Sequence, residues 1–420
     1  MTQSIHLPTD LVTPALLLDR DVMTRNIGAM AARLDPAQSQ GLAFRPHVKT
    51  AKCVPVIECM GGGKVPERVT VSTLAEAHHM LVAGAGDVLY AVGVVPQKLP
   101  ELFRLAFAFE AHISLLLDSV GMARAVVAAM SKVTPAGSGG QVSAYIEVDV
   151  DNHRAGVPPD STELLEIAEA LARGNDRETV PRFWGGLRGV MTHAGGAYAC
   201  HSQAELLDMA ERERSGAVLA AQRLRAAGYA CKEVSIGSTP TVSVASTFDG
   251  VTEVRVGVYV FNDLTMVGLG VCTPADIALS VLTTVIGHQP ARNTLLVDAG
   301  WMALSSDRST SSHALDRGLG LVRGPAGEVL ADDNLVVSSA NQEHGLVTGA
   351  NGTAIDFAAF PIGSLLRILP VHACATAAQY PGYHTVNSRD ALERPASQAS
   401  DPADAGWWPR FGHWEVQRNG

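Results

Sequence analysis

No CxxC pair occurs in this chain, and its six cysteines (Cys53, Cys59, Cys200, Cys231, Cys272 and Cys374) are scattered. A disulfide framework is therefore not expected, and a reducing cytoplasm suits such thiols. Positive charge is also scarce: 32 Lys and Arg against 42 Asp and Glu give a formal net charge of −10. Neutralising a phosphate backbone needs clustered Lys and Arg, so a nucleic-acid partner is not expected. No stretch reaches the ~18 uninterrupted apolar residues of a membrane span. The N-terminal stretch has no basic region, and its longest apolar run is Ala15 to Leu18, so neither a secretory signal nor a membrane partner is expected. No repeat at solenoid periods is visible. Charged residues make up only 18% and hydrophobic residues 47%, which excludes a disordered chain and supplies a sizeable core. At 420 residues the chain suits one large architecture with an appendage, or several small domains.

What is present is an alternation. Eight short β-rich runs (44–48, 69–73, 88–92, 113–118, 144–150, 187–193, 233–237 and 253–261) are separated by helix-like stretches. The clearest helix, 202–227, carries Leu206, Leu207, Met209, Val218, Leu219 and Leu224, and Ser202-x-x-Glu205 offers it a capping box. Thr73-x-x-Glu76 repeats that signal after the second run. Eight βα units over roughly 230 residues have the size of a (β/α)8 TIM-like barrel. A doubly wound open sheet is the alternative, and the count of eight favours the barrel. After Gly270 the runs 278–286, 294–297, 335–338, 346–348 and 364–370 are joined by Gly, Asp and Asn turns, as in a β domain. Ala15 to Asp19 is a candidate extra strand for it. The expected division is a barrel over 20–270 and a β domain over 271–420 that borrows a strand from 1–19. Arg394 to Gly406 is expected to be a flexible surface loop, and Trp407, Trp408, Phe411 and Trp414 to dock the tail.

Functional side chains of a barrel gather where strands end and loops begin. Lys49 follows the first run and is expected to point into that rim. A lysine there can form a Schiff base, or it is an ordinary solvated side chain. His47 is a proton carrier or a packed polar residue. Arg154 follows the fifth run and pairs with an anionic ring substituent, or with Asp149 or Asp151. Gly237-Ser238-Thr239-Pro240-Thr241 follows the seventh run and suits a phosphate, or is a plain N-cap. His372 and Cys374, two apart on a chain read as extended, share a side. Imidazole and thiolate suit zinc, although a chance pair with a buried cysteine is the simpler alternative. Asn341 to Gly345 adds an acid and an imidazole in a turn.

In chain order the motifs are TPALLLD (13–19), RPHVKTAK (45–52), DVDNHRAGV (149–157), THAGGAY (192–198), GSTPT (237–241), EVRVGVYVFND (253–263), NQEHG (341–345) and HACATAAQ (372–379). Together they resemble the D-serine dehydratase and D-threonine aldolase family of pyridoxal-phosphate enzymes, whose barrel is of the alanine racemase type. The resemblance covers nearly the whole chain. It implies that Lys49 carries pyridoxal 5'-phosphate as a Schiff base. It implies that Gly237, Ser238, Thr239 and Tyr259 bind the phosphate, that Arg154 contacts the ring oxygen, and that His193 and Tyr198 also belong to the cofactor site. His372 and Cys374 would bind a divalent metal, zinc foremost, with manganese, cobalt or magnesium as alternatives. Family dehydratases carry HxC and the aldolases HxD, so Cys374 points to elimination. The implied substrate is a small D-β-hydroxy amino acid: D-threo-3-hydroxyaspartate, giving oxaloacetate and ammonia, or D-serine, giving pyruvate and ammonia. The rivals are a D-threonine or 3-hydroxy-D-aspartate aldolase and a non-catalytic cofactor-binding protein. A homodimer is implied. Two departures stand out: Val371 where an Asn often precedes the His, and Gly196-Ala197 in place of a more hydroxylated pair.

Overall fold

The structure is a computed structural model in which residues 11–133, 139–172, 183–387 and 406–412 are described. Of the expected loop Arg394 to Gly406 only Gly406 is among them, and Trp414 is not. Residues 31–257 with 411–412 form one compact unit, and 11–30 with 258–410 form another.

Strand β1 (Ala15–Asp19) belongs to the second unit. The first unit is built on eight parallel strands: β2 (Ala43–Phe44), β3 (Arg68–Val71), β4 (Asp87–Gly93), β5 (His112–Leu117), β6 (Gln141–Val148), β7 (Trp184–Thr192), β8 (Glu233–Ile236) and β9 (Glu253–Val254). Their order is β2-β9-β8-β7-β6-β5-β4-β3. A parallel bridge between His47 and Thr70 brings the exit of β2 to β3, so the sheet almost closes on itself. This is the eightfold barrel expected, not an open doubly wound sheet. Strands such as β5 (HISLLL) are buried on both faces, because in such a sheet one face meets helices and the other the barrel interior. Leu89, Leu116, Tyr145 and Met191, from four neighbouring strands, pack together inside. The first and last strands are much shorter than their apolar runs. After β9 the chain leaves extended geometry and makes a 3-10 turn at Val258–Val260.

Two helices of this unit start as the sequence asks. Thr73 caps Leu74–Val82 and Ser202 caps Gln203–Ala226, each accepting the backbone N–H three residues on. The reciprocal glutamates reach one residue further back than a capping box requires. Glu76 accepts from the N–H of Ser72 at 2.6 Å and Glu205 from that of His201 at 2.7 Å.

Asp87, Glu233 and Glu253, the first residues of β4, β8 and β9, join Arg45 and Arg188 in a buried charge network. Arg45 is fully buried and donates to Glu253 at 2.7 Å and to Asp87 at 3.0 Å. Arg188 reaches Asp87 at 2.6 Å and Glu233 at 3.0 Å. Burial alone would raise the Asp87 pKa, but hydrogen bonds and charge from Arg188 and Arg45 hold it well below the usual carboxylate range.

The second unit is a nine-stranded sheet that adds β10 (Leu279–Gln289), β11 (Thr294–Val297), β12 (Gly320–Arg323), β13 (Leu335–Ala340), β14 (Gly345–Gly349), β15 (Leu365–Pro370), β16 (Gly382–Val386) and β17 (Trp407–Pro409). The order is β11-β14-β13-β12-β15-β10-β1-β16-β17, and β11 also pairs with β10, so six strands close into a ring. β1 lies between β10, antiparallel, and β16, parallel. All five residues of β1 are buried. Leu264, Ile277, Leu321, Val336, Leu369 and Val371 form one core cluster of this unit.

Candidate active site

Lys49 stands on a turn, not on a strand. The turn is pinned from two sides: the N–H of His47 donates to Val256 O at 2.9 Å and that of Val48 to Thr70 O at 3.0 Å. Gly257 makes this approach possible, since a Cβ there would lie 2.7 Å from His47 O. Lys49 lines a cavity of about 280 Å³ together with His47, Ser72, Glu147, Arg154, His193 and Arg255. These residues come from the carboxyl ends of β2, β3, β6, β7 and β9 or the loops after them, which is the rim expected of a barrel.

The charges in the cavity are settled by burial. It pushes His47 well below the usual histidine range, helped by the Lys49 and Arg255 charges. It pushes His193 down to about 3, helped by Lys49 and Arg154. Both imidazoles are therefore neutral at pH 7, and Lys49, Arg154 and Arg255 are left as the basic groups. Arg255 is buried and fixed: its Nε donates to Ser235 Oγ at 2.8 Å and one terminal nitrogen to Thr192 O. Arg154 is half exposed on its loop. Its nearest acid is Glu147 at 4.0 Å, not Asp149 or Asp151. Burial raises the Glu147 pKa, with Arg154 opposing it.

Gly237, Ser238 and Thr239 do not line this cavity but adjoin it, because His193 Nδ1 hydrogen-bonds Gly237 O. Gly237 has no room for a side chain, since a Cβ would sit 2.3 Å from Arg255 O. Ser238 caps the short helix Thr239–Val244. Glu213 holds the segment from behind: it is fully buried, accepts from Thr241 Oγ1 at 2.5 Å, and also takes the N–H groups of Ala194 and Gly237. Thr239 Oγ1 is buried without a hydrogen-bond partner among the described residues, which leaves it able to serve a group from outside the chain. A lysine beside a basic cavity, with an orphan hydroxyl in a glycine-led turn, fits pyridoxal phosphate. Tyr198 lies on the turn Gly195–Ala199, its ring 6.2 Å from that of His193. Tyr259 belongs to the second unit, on the 3-10 turn after β9 rather than on a strand. Burial raises its hydroxyl pKa.

His372 and Cys374 are also in the second unit, and here the extended chain expected is not found. His372 is the N-cap of the short helix Ala373–Ala377, with Cys374 in its first turn. The two side chains still meet, the thiol hydrogen-bonding the imidazole. His372 Nδ1–H donates to Asp307 at 2.8 Å. Burial favours the neutral imidazole, yet the bonds to Asp307 and Cys374 push its pKa up to about 11. The bond to His372 draws Asp307 down to about 2. An imidazole and a thiol in contact, both partly exposed, fit a borderline-soft divalent ion, with positions left for other ligands. Asn341, Gln342, Glu343 and His344 form an exposed turn between β13 and β14, with Asn341 N–H on His344 O.

Two family models match: "Alanine racemase, N-terminal domain" over residues 18–264 and "Putative serine dehydratase domain" over 278–386. The chain is 47% identical to D-threo-3-hydroxyaspartate dehydratase of Delftia sp. (strain HT23), over 90% of its own length and 94% of that protein. It is 31% identical to D-serine dehydratase of Dictyostelium discoideum, again over 90% and 94%. The chain belongs to the D-serine dehydratase and D-threonine aldolase family. Its structure matches that of the Delftia dehydratase with a TM-score of 0.84 at 44% identity, covering 96% of this chain and 99% of that one. A cysteine-to-alanine variant of D-threo-3-hydroxyaspartate dehydratase, solved in the metal-free form, matches at 0.83 and 43%, covering 96% and 99%. Among the described residues no helix is long and apolar enough to cross a membrane.

Several residues of the site escaped the sequence reading. Glu147 lay in the β-rich run 144–150 and Arg255 in the motif 253–263, neither with a role assigned, and the inward alternation of a barrel strand is the signal that could have assigned them. Glu213, in the middle of a long helix, and Asp307, in a loop 65 residues before His372, carry no local signal.

Proposed function

We propose that the chain is a pyridoxal-phosphate-dependent dehydratase that eliminates water from a D-β-hydroxy amino acid; the enamine so formed then takes up water and releases ammonia, leaving a 2-oxo acid. D-threo-3-hydroxyaspartate, giving oxaloacetate, is the preferred substrate, and D-serine, giving pyruvate, the second. The observation that carries this reading is the Lys49 amine in the basic cavity of a chain 47% identical to such a dehydratase. Lys49, Arg154, His193, Tyr198, Gly237, Ser238, Thr239 and Tyr259 would hold the cofactor, and His372 and Cys374 a divalent metal, zinc by donor type. Support for the metal comes from solved variants of D-threo-3-hydroxyaspartate dehydratase, in which a histidine and a cysteine two residues apart have each been changed to alanine, the cysteine variant in a metal-free form. Residues 20–270 then carry the cofactor, and 271–420, with a strand from 1–19, the metal.

Bound there, the cofactor would draw electrons from the substrate α-carbon, and the metal would act as a Lewis acid on the leaving hydroxyl. The Lys49 amine is the base that takes the α-proton. Its turn, pinned by Val256 and Thr70, fixes where the amine can reach. Neutral His47 and His193 wall the cavity without adding charge, so the anionic groups of substrate and cofactor meet Arg154 and Arg255.

The test is a panel of D-serine, D-threonine and the 3-hydroxyaspartate stereoisomers with products identified. A 2-oxo acid with ammonia is expected. Glycine with an aldehyde would replace this reading by the aldolase one, supported by a 28% identical D-threonine aldolase of Arthrobacter sp.. Bound cofactor without turnover on any of them would leave a binding protein. Adding a chelator should abolish elimination and keep the visible cofactor band.

A further inference from the structure

We propose that Asp307 is the positioning residue of the metal site: it takes the Nδ1–H of His372 and so leaves Nε2 to meet the ion. This rests on the reading of His372 and Cys374 as metal ligands. The bond is 2.8 Å long, and the carboxylate can only accept it, so Nδ1 carries the proton. Asp307 is itself held. Its other oxygen accepts from the N–H of Ser309 at 2.8 Å and from the Ser309 hydroxyl, and its own N–H donates to Ser305 Oγ at 3.2 Å. Both carboxylate oxygens are thus engaged, one on the imidazole and one on Ser309.

Asp307 is not a third ligand. Among the described residues no three His, Cys, Asp or Glu side chains converge to hold an ion. With two protein ligands, the aim of each counts for more than in a four-ligand site. The backbone is aimed as well. Asp263 is buried and accepts the N–H of Ala373, the residue between the ligands, at 2.9 Å. Thr265 donates its hydroxyl to Val371 O at 2.9 Å. The ring, by contrast, has Asp307 as the carboxylate that fixes its rotation and tautomer, and such outer partners also raise the basicity of the ligating nitrogen.

The experiment titrates Zn²⁺, and separately Co²⁺, into metal-stripped protein against a chelating dye. The proteins are the parent, Asp307→Asn, Asp307→Ala, Asp307→Glu, His372→Ala and Cys374→Ala. Asp307→Asn and Asp307→Ala are expected to weaken Zn²⁺ binding about 10–100-fold, with part restored in Asp307→Glu. The Co²⁺ form of Asp307→Asn should keep its thiolate charge-transfer band and shift its d–d bands, which a merely structural role would not do. Zn²⁺ affinity equal to the parent in Asp307→Asn and Asp307→Ala would overturn the proposal while His372→Ala and Cys374→Ala still lose the metal. Parent-like affinity in His372→Ala and Cys374→Ala would remove the metal-site reading and this proposal with it. Should the Asp307 variants not fold, Ser309→Ala is expected to show a smaller loss of affinity, and no loss there would overturn the proposal too.

Discussion

Thr239 and Thr241 stand two residues apart, and their hydroxyls face different duties. Thr241 gives its proton to buried Glu213 at 2.5 Å, whereas Thr239 Oγ1 is buried with no partner among the described residues. Thr241→Val should cost about 1–3 kcal/mol, because Glu213 loses a donor where water cannot replace it. Thr239→Val should leave the cofactor-free protein as stable as the parent, or slightly more so, and yet weaken pyridoxal phosphate binding. Thermal melts with and without cofactor separate the two. Lys49→Ala should lower turnover by at least about 10²–10⁴-fold, the usual worth of a positioned base, with circular dichroism unchanged. The residue alone left Lys49 open between a Schiff-base lysine and a solvated one; its role came from the resemblance carried by the motifs around it, and the structure puts it on the wall of the cavity. Glu213 and Asp307 were not readable, since acids in a helix and in a loop look like solvated surface until the fold closes over them.

At the level of the strands, the barrel separates chemistry from cohesion. The carboxyl ends carry the cavity, and Arg45 and Arg188 reach to the carboxylates that open β4, β8 and β9, Asp87, Glu233 and Glu253. Asp87 has a folded pKa below its unfolded value near 4. Its contribution is therefore complete above about pH 4 and is lost as the pH falls through the folded value. Urea midpoints should hold steady from neutral pH to about 5 and fall below about 4. Asp87→Asn should flatten that fall and cost about 3–5 kcal/mol, because Arg45 and Arg188 keep buried charge with less to pair it. The eight strands were legible because each apolar run is bounded by turn residues. Their ends were not: the run 253–261 is rich in β-formers to its end, but only Glu253–Val254 finds a ladder partner, and Gly257 lets the chain turn against His47. β12 was missed because three residues between Gly320 and Gly324 give too short a signal, and β17 because Trp-Trp-Pro does not alternate.

For the whole molecule, the net charge of −10 gives no hint of a basic cavity, since Lys49, Arg154 and Arg255 are a small part of 32 cations. Fold and cofactor chemistry could be read because eight motifs fall in order along the chain. The placement of β1 was readable only as a spare strand, not as one in the interior of a sheet. Deleting residues 1–19 should therefore expose both the β10 and the β16 edges, and the product should be trimmed rapidly by a protease where the parent resists. The same placement bears on how the protein is made. Synthesis delivers β1 before the barrel, but its partners around Leu282 and Val386 come after it. Residues 31–257, the barrel, can be complete while five residues destined for burial still wait in solvent. A strand made before the whole barrel is thus paired only after it, and throughout that interval it is a natural segment for a chaperone to hold.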